Sequence, residues 1–301
     1  MPELPDIEIY REGIEARMVG ARITTVRLGS PFVVRTYDPP LSAIHGRTML
    51  GVRRLGKRLV FAFEDELFVV LHLMIAGRLR WRAPGAAHRG RQILAVFDPA
   101  PPVDGCLVLT EASKKHRASL HVVEGEDALL DFDRGGLEVF ETTLEDFDRR
   151  ARSERHTLKR TLTDPHLFSG IGNAYSDEIL FEAQLSPIQH STKMTPEESQ
   201  RLFHATRAVL GRFLDVLREE VGDGFPEKVT AFRTDFQVHG RFKQPCRRCG
   251  TPIQRLVSGE HESHYCPSCQ TGGRLLADRA LSRLLKSDWP RTLEELEERR
   301  R

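Results

Sequence analysis

Apolar residues recur along the N-terminal half of the chain in two different patterns. Leu4, Ile7, Ile14 and Met18 stand at helical spacing with charged residues between them, which predicts a short amphipathic helix over residues 4–18. Short runs rich in β-branched and aromatic residues follow between turn signals, and each predicts a strand: residues 23–29, 58–63, 67–74, 77–81, 92–97, 106–111 and 118–123. Regularly spaced short strands are typical of an antiparallel sandwich or barrel.

The pattern becomes helical from about residue 142. Thr195, Pro196 and Glu198 form a helix-start signal, with a capping threonine, a proline at the first helical position and a glutamate three residues after the cap. A second helix is predicted after the sequence Gly170-Ile171-Gly172-Asn173. The fold class is therefore α+β, with a β-sandwich domain at residues 1–135, a helical domain at 142–235, a cysteine-rich module at 236–275 and a charged helical tail at 276–301.

Composition and charge narrow the possible partners. The 301 residues include 45 Lys and Arg against 43 Asp and Glu, so a nucleic-acid-binding function requires that the basic residues be segregated in space. No apolar run approaches the roughly 18 residues needed to span a bilayer, and the start MPELPDIEIY lacks the basic and apolar segments of a signal peptide. Five cysteines, four of them clustered, favour a reducing compartment, so we expect a cytoplasmic protein without a membrane partner.

The clustered cysteines have the spacing of a metal site. Cys246 and Cys249 form one Cys-x-x-Cys pair, and Cys266 and Cys269 form a second. Sixteen residues separate the two pairs. Two such pairs can close a tetrahedral shell around Zn²⁺, and because the protein fills all four positions the predicted zinc is structural rather than catalytic. An iron–sulfur centre is the less favoured alternative. Five Lys or Arg and no acid lie within residues 241–255, and a basic zinc ribbon is a common nucleic-acid-binding device.

The N-terminus is the second candidate for chemistry. The small residue after Met1 permits removal of the initiator methionine, which would expose the secondary amine of Pro2. An unprotonated amine of this kind can attack a sugar C1′ and form an iminium, and the neighbouring Glu3 could protonate the ring oxygen. The ordinary alternative is that Pro2 is only a chain terminus and Glu3 a partner of the helix dipole. While Met1 is retained, the Pro2 nitrogen is an amide and has no such reactivity.

Two basic clusters and a glycine-rich turn add candidate anion contacts. Lys57 lies in the basic turn 53–58, from which a lysine can reach a phosphate or simply remain in solvent. Lys114 lies in the cluster 114–117 and has the same two interpretations. Backbone N–H groups of residues 170–173 could bind an anion at a helix start, or they could form only a turn between helices.

Taken in order, these pieces resemble the formamidopyrimidine-DNA glycosylase family from residue 1 to about residue 270. The resemblance rests on the start Met1-Pro2-Glu3-Leu4-Pro5, Gly56-Lys57, His72-Leu73 followed by Gly77-Arg78-Leu79-Arg80, the motif at residues 170–178 and the four-cysteine ribbon. It implies a β-sandwich, a helix–two-turn–helix domain and a zinc finger, acting as a monomer on damaged double-stranded DNA with the lesion flipped out. The implied activity is that of a bifunctional base-excision-repair glycosylase and AP lyase with one structural Zn²⁺, no catalytic metal and no nucleotide.

The resemblance also implies a role for particular residues. Pro2 would be the Schiff-base nucleophile, Glu3 the acid and Lys57 the hairpin lysine beside the lesion phosphate. Most of the remaining contacts would hold the DNA backbone and carry no sequence information. The DNA-contacting residues that it implies are His72, Ile75, His88, Lys114, Lys159, Asn173, Arg247, Arg248 and His261.

Several positions depart from the family's pattern. Asp6 stands where the family usually has Glu, Ile75 takes the place of the intercalating Met, and His261 takes the place of the finger arginine. The Asp-Pro-Arg-Arg-Phe-Gly loop is replaced by residues 111–116, and residues 221–235 lack the Gly-Gly-Thr-rich segment that caps an oxidised guanine. We therefore expect weaker discrimination for oxidised guanine and unaffected amine chemistry.

Two other functions remain open at this point. One is a DNA-binding or lesion-sensing protein of the same fold with weak or no glycosylase activity, which the departures at the finger and the loops would suit. The other is a zinc-ribbon transcription or ribosome factor, which would leave Pro2, Glu3 and the β-rich half unexplained.

Overall fold

A computed structural model describes residues 1–227, 229, 233–258, 261–277 and 289–298. Backbone contacts divide the chain into two compact units, unit 1 with Met1–Gly135 and Arg212–Ala231, and unit 2 with Gly136–Gly211 and Phe232–Arg301. The segment 142–235 is therefore shared between the units, because its residues 212–231 fold with the N-terminal part of the chain. Among the described residues, no helix is long and apolar enough to cross a membrane.

Unit 1 contains helix α1 (Leu4–Met18) and two four-stranded antiparallel sheets. One sheet has the strand order β1-β6-β7-β5 and the other β2-β3-β4-β8. The predicted β-rich N-terminal half is thereby confirmed. The strands are β1 (Ile23–Leu28), β2 (Met49–Leu55), β3 (Arg58–Phe63), β4 (Leu67–His72), β5 (Gly77–Arg82), β6 (Ile93–Pro99), β7 (Cys106–Glu111) and β8 (Ser119–Glu124).

Burial on both faces explains why β4 is apolar along most of its length. Leu67, Val69 and Leu71 join the main core of unit 1. On the opposite face, Phe68 and Val70 pack in a second cluster with Leu129 of the 3-10 helix Glu126–Asp131. Strand β2 is absent from the sequence-based predictions because its sequence, MLGVRRL, combines a glycine with two arginines and has no clear apolar alternation.

Helix α1 begins with a reciprocal capping box. The Glu3 side chain accepts a hydrogen bond from the backbone N–H of Asp6, and Asp6 Oδ2 accepts one from the backbone N–H of Glu3 at 2.8 Å. Tyr10, Ile14 and Met18 lie fully buried along the helix, so the predicted amphipathic helix is confirmed. The capping box fixes the conformation of the residues that follow Pro2.

The last part of the long helix α5 (Pro196–Val221) and the residues after it complete unit 1. Leu217 and Val229 belong to its core, and the Phe225 ring lies 6.0 Å from the Tyr10 ring. Glu227 accepts hydrogen bonds from the side chains of Arg80 and Arg82 on β5. Phe225, Glu227 and Val229 of the 221–235 loop are therefore packed within unit 1.

Unit 2 contains the remaining helices and a short hairpin. At the start of α5, Glu198 N–H donates to Thr195 Oγ1 and Thr195 N–H donates to Glu198 Oε2, which is the predicted capping box. Helix α4 starts at Asn173, directly after the glycine-rich turn, as predicted. Of the predicted helical tail, residues 278–288 and 299–301 lie outside the described residues. The other elements are α2 (Leu144–Arg152), α3 (Leu158–Thr163), α4 (Asn173–Glu182), β9 (Gln254–Ser258), β10 (His261–Tyr265), α6 (Pro267–Thr271) and α7 (Leu293–Glu298).

Candidate functional site

The N-terminal amine lies within the electrostatic reach of four charged side chains of unit 1. Burial is the main cause that lowers the pKa of the Met1 amine; Arg78 and Lys57 lower it further, while Glu3 and Asp6 oppose the shift. Pro2 is buried and Glu3 is only 3% exposed. The structure thus brings Glu3 and Lys57 to the chain start that carries Pro2. The net effect of this environment is to favour the unprotonated form of the Met1 amine.

Asp6 is a second carboxyl group beside this amine. Burial raises the pKa of Asp6 to about 7, and the nearby Glu3 charge raises it further, against the opposing effects of the Glu3 N–H, the N-terminus and Arg78. Its Oδ1 atom is buried and has no hydrogen-bond partner among the residues that the structure describes. Asp6 is therefore a group that can change protonation state near neutral pH next to the chain start.

Lys57 occupies the two-residue turn between β2 and β3. Leu55 pairs with Arg58 across the hairpin, so Gly56 and Lys57 are its only turn residues. Gly56 has φ +60°, a left-handed conformation that glycine adopts without a steric cost. This turn presents Lys57 at the end of the hairpin, close enough to the Met1 amine and to His72 to shift the pKa of both.

His72 and Ile75 lie at the end of β4 and in the turn that follows. Burial lowers the pKa of His72 to about 4, with further contributions from Arg58, Lys57 and His121, so His72 is neutral at physiological pH. A Cβ atom at Gly77 would lie 2.2 Å from the Leu73 carbonyl oxygen, so the tight turn requires glycine there. Ile75 is 59% exposed at the tip of this turn, which is the placement needed for a side chain that enters a base stack.

Arg78 is a site residue to which sequence reasoning gave no role. Its Nε donates to the Val229 carbonyl at 2.7 Å and its Nη1 donates to the Ile75 carbonyl at 3.1 Å. It also lowers the pKa values of the Met1 amine and of Asp6. Arg78 belongs to the Gly-Arg-Leu-Arg motif after His72-Leu73, so the motif was found but its electrostatic contribution was not.

Two further predicted contacts lie on loops of the sheet β1-β6-β7-β5. His88 precedes β6, and its Nδ1 lies 3.3 Å from Arg27 Nη1. Lys114 is exposed in the loop after β7. Buried Glu111 holds this loop, because its carboxylate accepts hydrogen bonds from Ser113 Oγ at 2.7 Å and from Ala118 N–H at 2.8 Å. The loop that departs from the family's pattern thus has its own internal anchor.

In unit 2 the predicted residue Lys159 binds a buried carboxylate and the backbone carbonyl of Asn173, whose side-chain amide donates to the Glu262 carbonyl at 2.9 Å. Lys159 Nζ donates to the Asn173 carbonyl at 2.6 Å and to Asp177 Oδ1 at 2.5 Å. Asp177 Oδ2 accepts from His239 Nδ1 at 2.7 Å and from the His264 backbone N–H at 3.1 Å. Burial would raise the pKa of Asp177, but Lys159 and the two histidines outweigh burial and lower it. Sequence reasoning quoted Asp177 within its motif without recognising this role.

The four clustered cysteines meet the geometric requirement for zinc. Their Sγ atoms lie within 4.8 Å of one another, with Cys246 and Cys269 4.0 Å apart and Cys249 and Cys266 3.5 Å apart. Zinc–sulfur bonds of about 2.3 Å in a tetrahedron place sulfur atoms about 3.8 Å apart. The predicted structural zinc site is confirmed.

The predicted basic residues of the finger make contacts within unit 2. Arg247 Nη1 donates to the Asp235 carbonyl at 3.2 Å. Arg248 lies over the Phe181 ring at 4.4 Å and pairs with Glu182 at 3.1 Å. His261 begins β10, and its side chain lies outside the described residues. The charge of Arg248 is thus partly compensated by Glu182.

Three family models match the chain in sequence order. They are the formamidopyrimidine-DNA glycosylase N-terminal domain at residues 1–120, the corresponding H2TH domain at 138–221, and the zinc finger found in FPG and IleRS at 243–272. Together they cover most of the chain, including α1, strands β1 to β7 and the four clustered cysteines.

Individual relatives agree with the family models. The formamidopyrimidine-DNA glycosylase of Herpetosiphon aurantiacus is 32% identical over 283 residues, covering 90% of this chain and the whole relative. The enzyme of the same name from Thermus thermophilus is 31% identical over 283 residues, covering 91% of this chain and the whole relative. A solved complex between the Lactococcus lactis Fpg and an abasic-site-containing DNA has a TM-score of 0.79 at 24% identity, covering 89% of this chain and 99% of that one, which shows the fold.

Proposed function

Because the chain belongs to the formamidopyrimidine-DNA glycosylase family, we propose that it removes oxidised bases from DNA through a Schiff base on Pro2 and then cleaves the abasic strand. It is a base-excision-repair DNA glycosylase with AP lyase activity, and its partner is damaged double-stranded DNA. The lesion nucleotide is flipped out of the duplex, because a base inside the stack is out of reach of the amine. We propose that this repair activity takes place in the cytoplasm.

The chemistry begins when Met1 is removed and Pro2 gains a free secondary amine. The unprotonated nitrogen donates its electron pair to C1′ of the flipped nucleotide, and the glycosidic bond breaks with its electron pair leaving on the base. The proton that the attached nitrogen still carries passes to the departing base, which leaves as a neutral molecule and frees the nitrogen to form the iminium. Glu3 gives a proton to the sugar ring oxygen as the ring opens, which leaves an iminium on Pro2. Loss of the C2′ proton then expels the 3′ phosphate and cuts the strand, and water releases Pro2.

The observation that carries this proposal is the electrostatic setting of the chain start. An amine that attacks carbon must be unprotonated, and at the chain start burial, Arg78 and Lys57 lower the pKa of the Met1 amine against the opposing charges of Glu3 and Asp6. The Pro2 amine would take over this setting once Met1 is removed. Glu3 lies beside it as the proton donor, held by the capping box of α1. A protein that only binds DNA would have no use for this combination.

We further propose that the sequence-predicted contact residues of each unit bind the DNA. Lys57, His72, Ile75, His88 and Lys114 would do so in unit 1. Lys159, Asn173, Arg247, Arg248 and His261 would do so in unit 2. Phosphate contacts of this kind fix the duplex in register, while Ile75 would fill the space that the flipped nucleotide leaves.

Borohydride trapping on an abasic duplex tests the proposal. We expect tag-free protein to give a covalent adduct, because reduction makes the Schiff base permanent. The same chain carrying an N-terminal tag that cannot be processed should give none, because its Pro2 nitrogen is an amide. Pro2→Gly should retain reduced trapping through its primary amine.

Glu3→Gln is the matched variant for the acid. It should lose base excision while keeping much of the cleavage at abasic sites, because proton donation is most needed while the base leaves and the ring opens. Equal trapping by tagged and tag-free protein would place the Schiff base on a lysine, with Lys57 the first to test. Binding of abasic duplex without any adduct would instead favour a lesion-sensing protein of the same fold.

A further inference from the structure

A row of basic side chains crosses the outer face of the sheet β2-β3-β4-β8, beside the Lys57 turn. Arg58 pairs with His72 across β3 and β4, and His72 pairs with Ser119 on β8. One step further along, Val70 pairs with His121. Directly paired residues of antiparallel strands point to the same face, and residues two apart on a strand do so as well. Arg58, His72 and His121 therefore share one face.

Phe132 positions two members of this row. Its ring lies 5.1 Å from the His121 ring in an edge-on arrangement. Its carbonyl accepts a hydrogen bond from Arg58 Nη1 at 3.2 Å, and the Arg58 guanidinium lies 6.0 Å from the ring centre. Arg58 is thus held by a backbone carbonyl and an aromatic ring, contacts that leave its positive charge uncompensated.

The surroundings of the row disfavour the charged forms of its members, so Arg58 is the member that carries a charge near neutral pH. Burial, and after it the neighbouring Arg134, lowers the pKa of Arg58. Burial, Arg58 and Arg35 lower the pKa of His121. Within the described ranges of the chain, no carboxylate contributes to the pKa shifts of Arg58, His72 or His121. Arg58 is therefore a partly buried positive charge beside neutral histidines, and binding of an anion would stabilise it.

Arg53 on the same face shows the ordinary arrangement. It pairs with Val60 across β2 and β3, which places it on the face that carries Arg58. Its guanidinium makes two hydrogen bonds with Glu126, at 2.6 and 2.9 Å, and lies over the Phe68 ring at 5.2 Å. Arg53 is thus neutralised by the Glu126 carboxylate, whereas Arg58, next to Lys57, has the Phe132 carbonyl and ring as its partners.

We propose that Arg58, with His72 paired beside it and His121 on the same face, binds a DNA phosphate other than the one that Lys57 holds, and so extends the phosphate-binding surface along this face of the sheet. The guanidinium fork matches two phosphate oxygens, and its contacts with Phe132 reduce the side-chain freedom lost on binding. The inference rests on the proposed function, because that function supplies the DNA.

The test is the salt dependence of binding to a duplex with a non-cleavable abasic-site analogue. Arg58→Gln should weaken binding and make the slope of log K against log salt shallower by about 0.9, the value for one phosphate contact on duplex DNA. Arg53→Gln is the matched control, since it removes the same charge from the same face but from a pair with Glu126. Its slope should equal that of the unmodified protein.

A second variant and two further measurements complete the test. Arg58→Lys preserves the charge and removes the fork, so it should keep the slope with a weaker affinity, and it serves if Arg58→Gln fails to fold. Equal slopes for Arg58→Gln and the unmodified protein, or equal losses for Arg58→Gln and Arg53→Gln, would overturn the inference. The inference would also be overturned if inorganic phosphate shifted the NMR signal of His121 and the DNA duplex did not. Borohydride trapping by the unmodified protein separates this failure from a failure of the proposed function.

Discussion

The two units each contain a fully buried aspartate, and the two aspartates have opposite properties. Asp6 in unit 1 is 2% exposed and burial raises its pKa to about 7. Asp177 in unit 2 is 1% exposed, yet its pKa is lowered. Burial penalises the charged form in both, so the difference comes from the partners that each carboxylate has.

Asp177 has a charged or polar partner on each oxygen. Lys159 binds one oxygen, and His239 together with the His264 N–H binds the other. Asp6 receives a single backbone N–H, has one buried oxygen without a partner and lies near the Glu3 charge. The unsatisfied carboxyl is the one beside the proposed nucleophile, where proteins tolerate polar groups that packing alone would exclude. The satisfied carboxyl holds together helices and finger within unit 2.

The largest expected effect follows from removing the satisfied carboxylate. Asp177→Ala leaves Lys159 as a mostly buried cation without its counter-ion, and breaking a buried pair in this way costs about 3–5 kcal/mol of unfolding free energy. The matched control is Asp148→Ala in α2, which removes a partly exposed carboxylate paired with Arg152 at 2.7 Å. That change should cost about 0.3–1 kcal/mol. Urea unfolding of zinc-loaded protein measures both, and similar losses would show that Asp177 carries no special weight.

The second prediction concerns the pH dependence of Asp6. Because its folded pKa of about 7 exceeds the ordinary value of 3.8, Asp6 is protonated in the folded state and ionised in the unfolded state between these pH values. Unfolding then releases a proton, so stability falls as the pH rises through this window. Asp6→Asn removes this loss, and its unfolding free energy should exceed that of the unmodified protein by on the order of 4 kcal/mol at pH 8 and by roughly half as much at pH 5.5.

Carbon-13 NMR of labelled aspartate measures the same contrast directly. The Asp6 carboxyl signal, assigned through Asp6→Asn, should titrate with a midpoint near 7, whereas the Asp177 signal should stay that of a carboxylate. Asp127→Asn, at an exposed position of unit 1, controls for the loss of one carboxylate. An Asp6 signal that is already fully ionised at pH 5.5 would contradict the prediction.

The contrast between the two aspartates also shows what local sequence can predict. Helix α1 was predictable because the positions of Leu4, Ile7, Ile14 and Met18 repeat at helical spacing, and the start of α5 because its capping box lies within four consecutive residues. The zinc site was predictable because both cysteine pairs have ligand spacing. Each of these signals lies within one short segment of the sequence, or, for the zinc site, in two short segments with the same spacing.

The missed features depend on partners that are distant in sequence. The carboxylate of Asp177 meets groups that lie 18, 62 and 87 residues away, and no pattern around position 177 indicates them. Arg78 is similar, since its contact with the Val229 carbonyl spans 151 residues. At position 6 the sequence showed a shorter carboxylate than the family's usual one, but its pKa depends on burial that only the folded unit defines.

The smallest expected effect concerns a third buried carboxylate, Glu111, which is satisfied by neutral groups only a few residues away. Burial would raise the pKa of Glu111, but the N–H groups of Arg117 and Ala118 and the Ser113 hydroxyl outweigh it and lower the pKa. Ser113→Ala removes one of these donors, so the pKa of Glu111 should rise and the unfolding free energy should fall by about 0.5–1 kcal/mol at pH 7.

A carboxylate with a lowered folded pKa stabilises the protein above its unfolded pKa and loses that contribution on acidification, so the deficit of Ser113→Ala should shrink as the pH falls. Urea unfolding at several pH values and the Glu111 carboxyl shift check both outcomes. A deficit that stays constant with pH would mean that the hydroxyl stabilises the 112–117 loop without acting on the charge of Glu111.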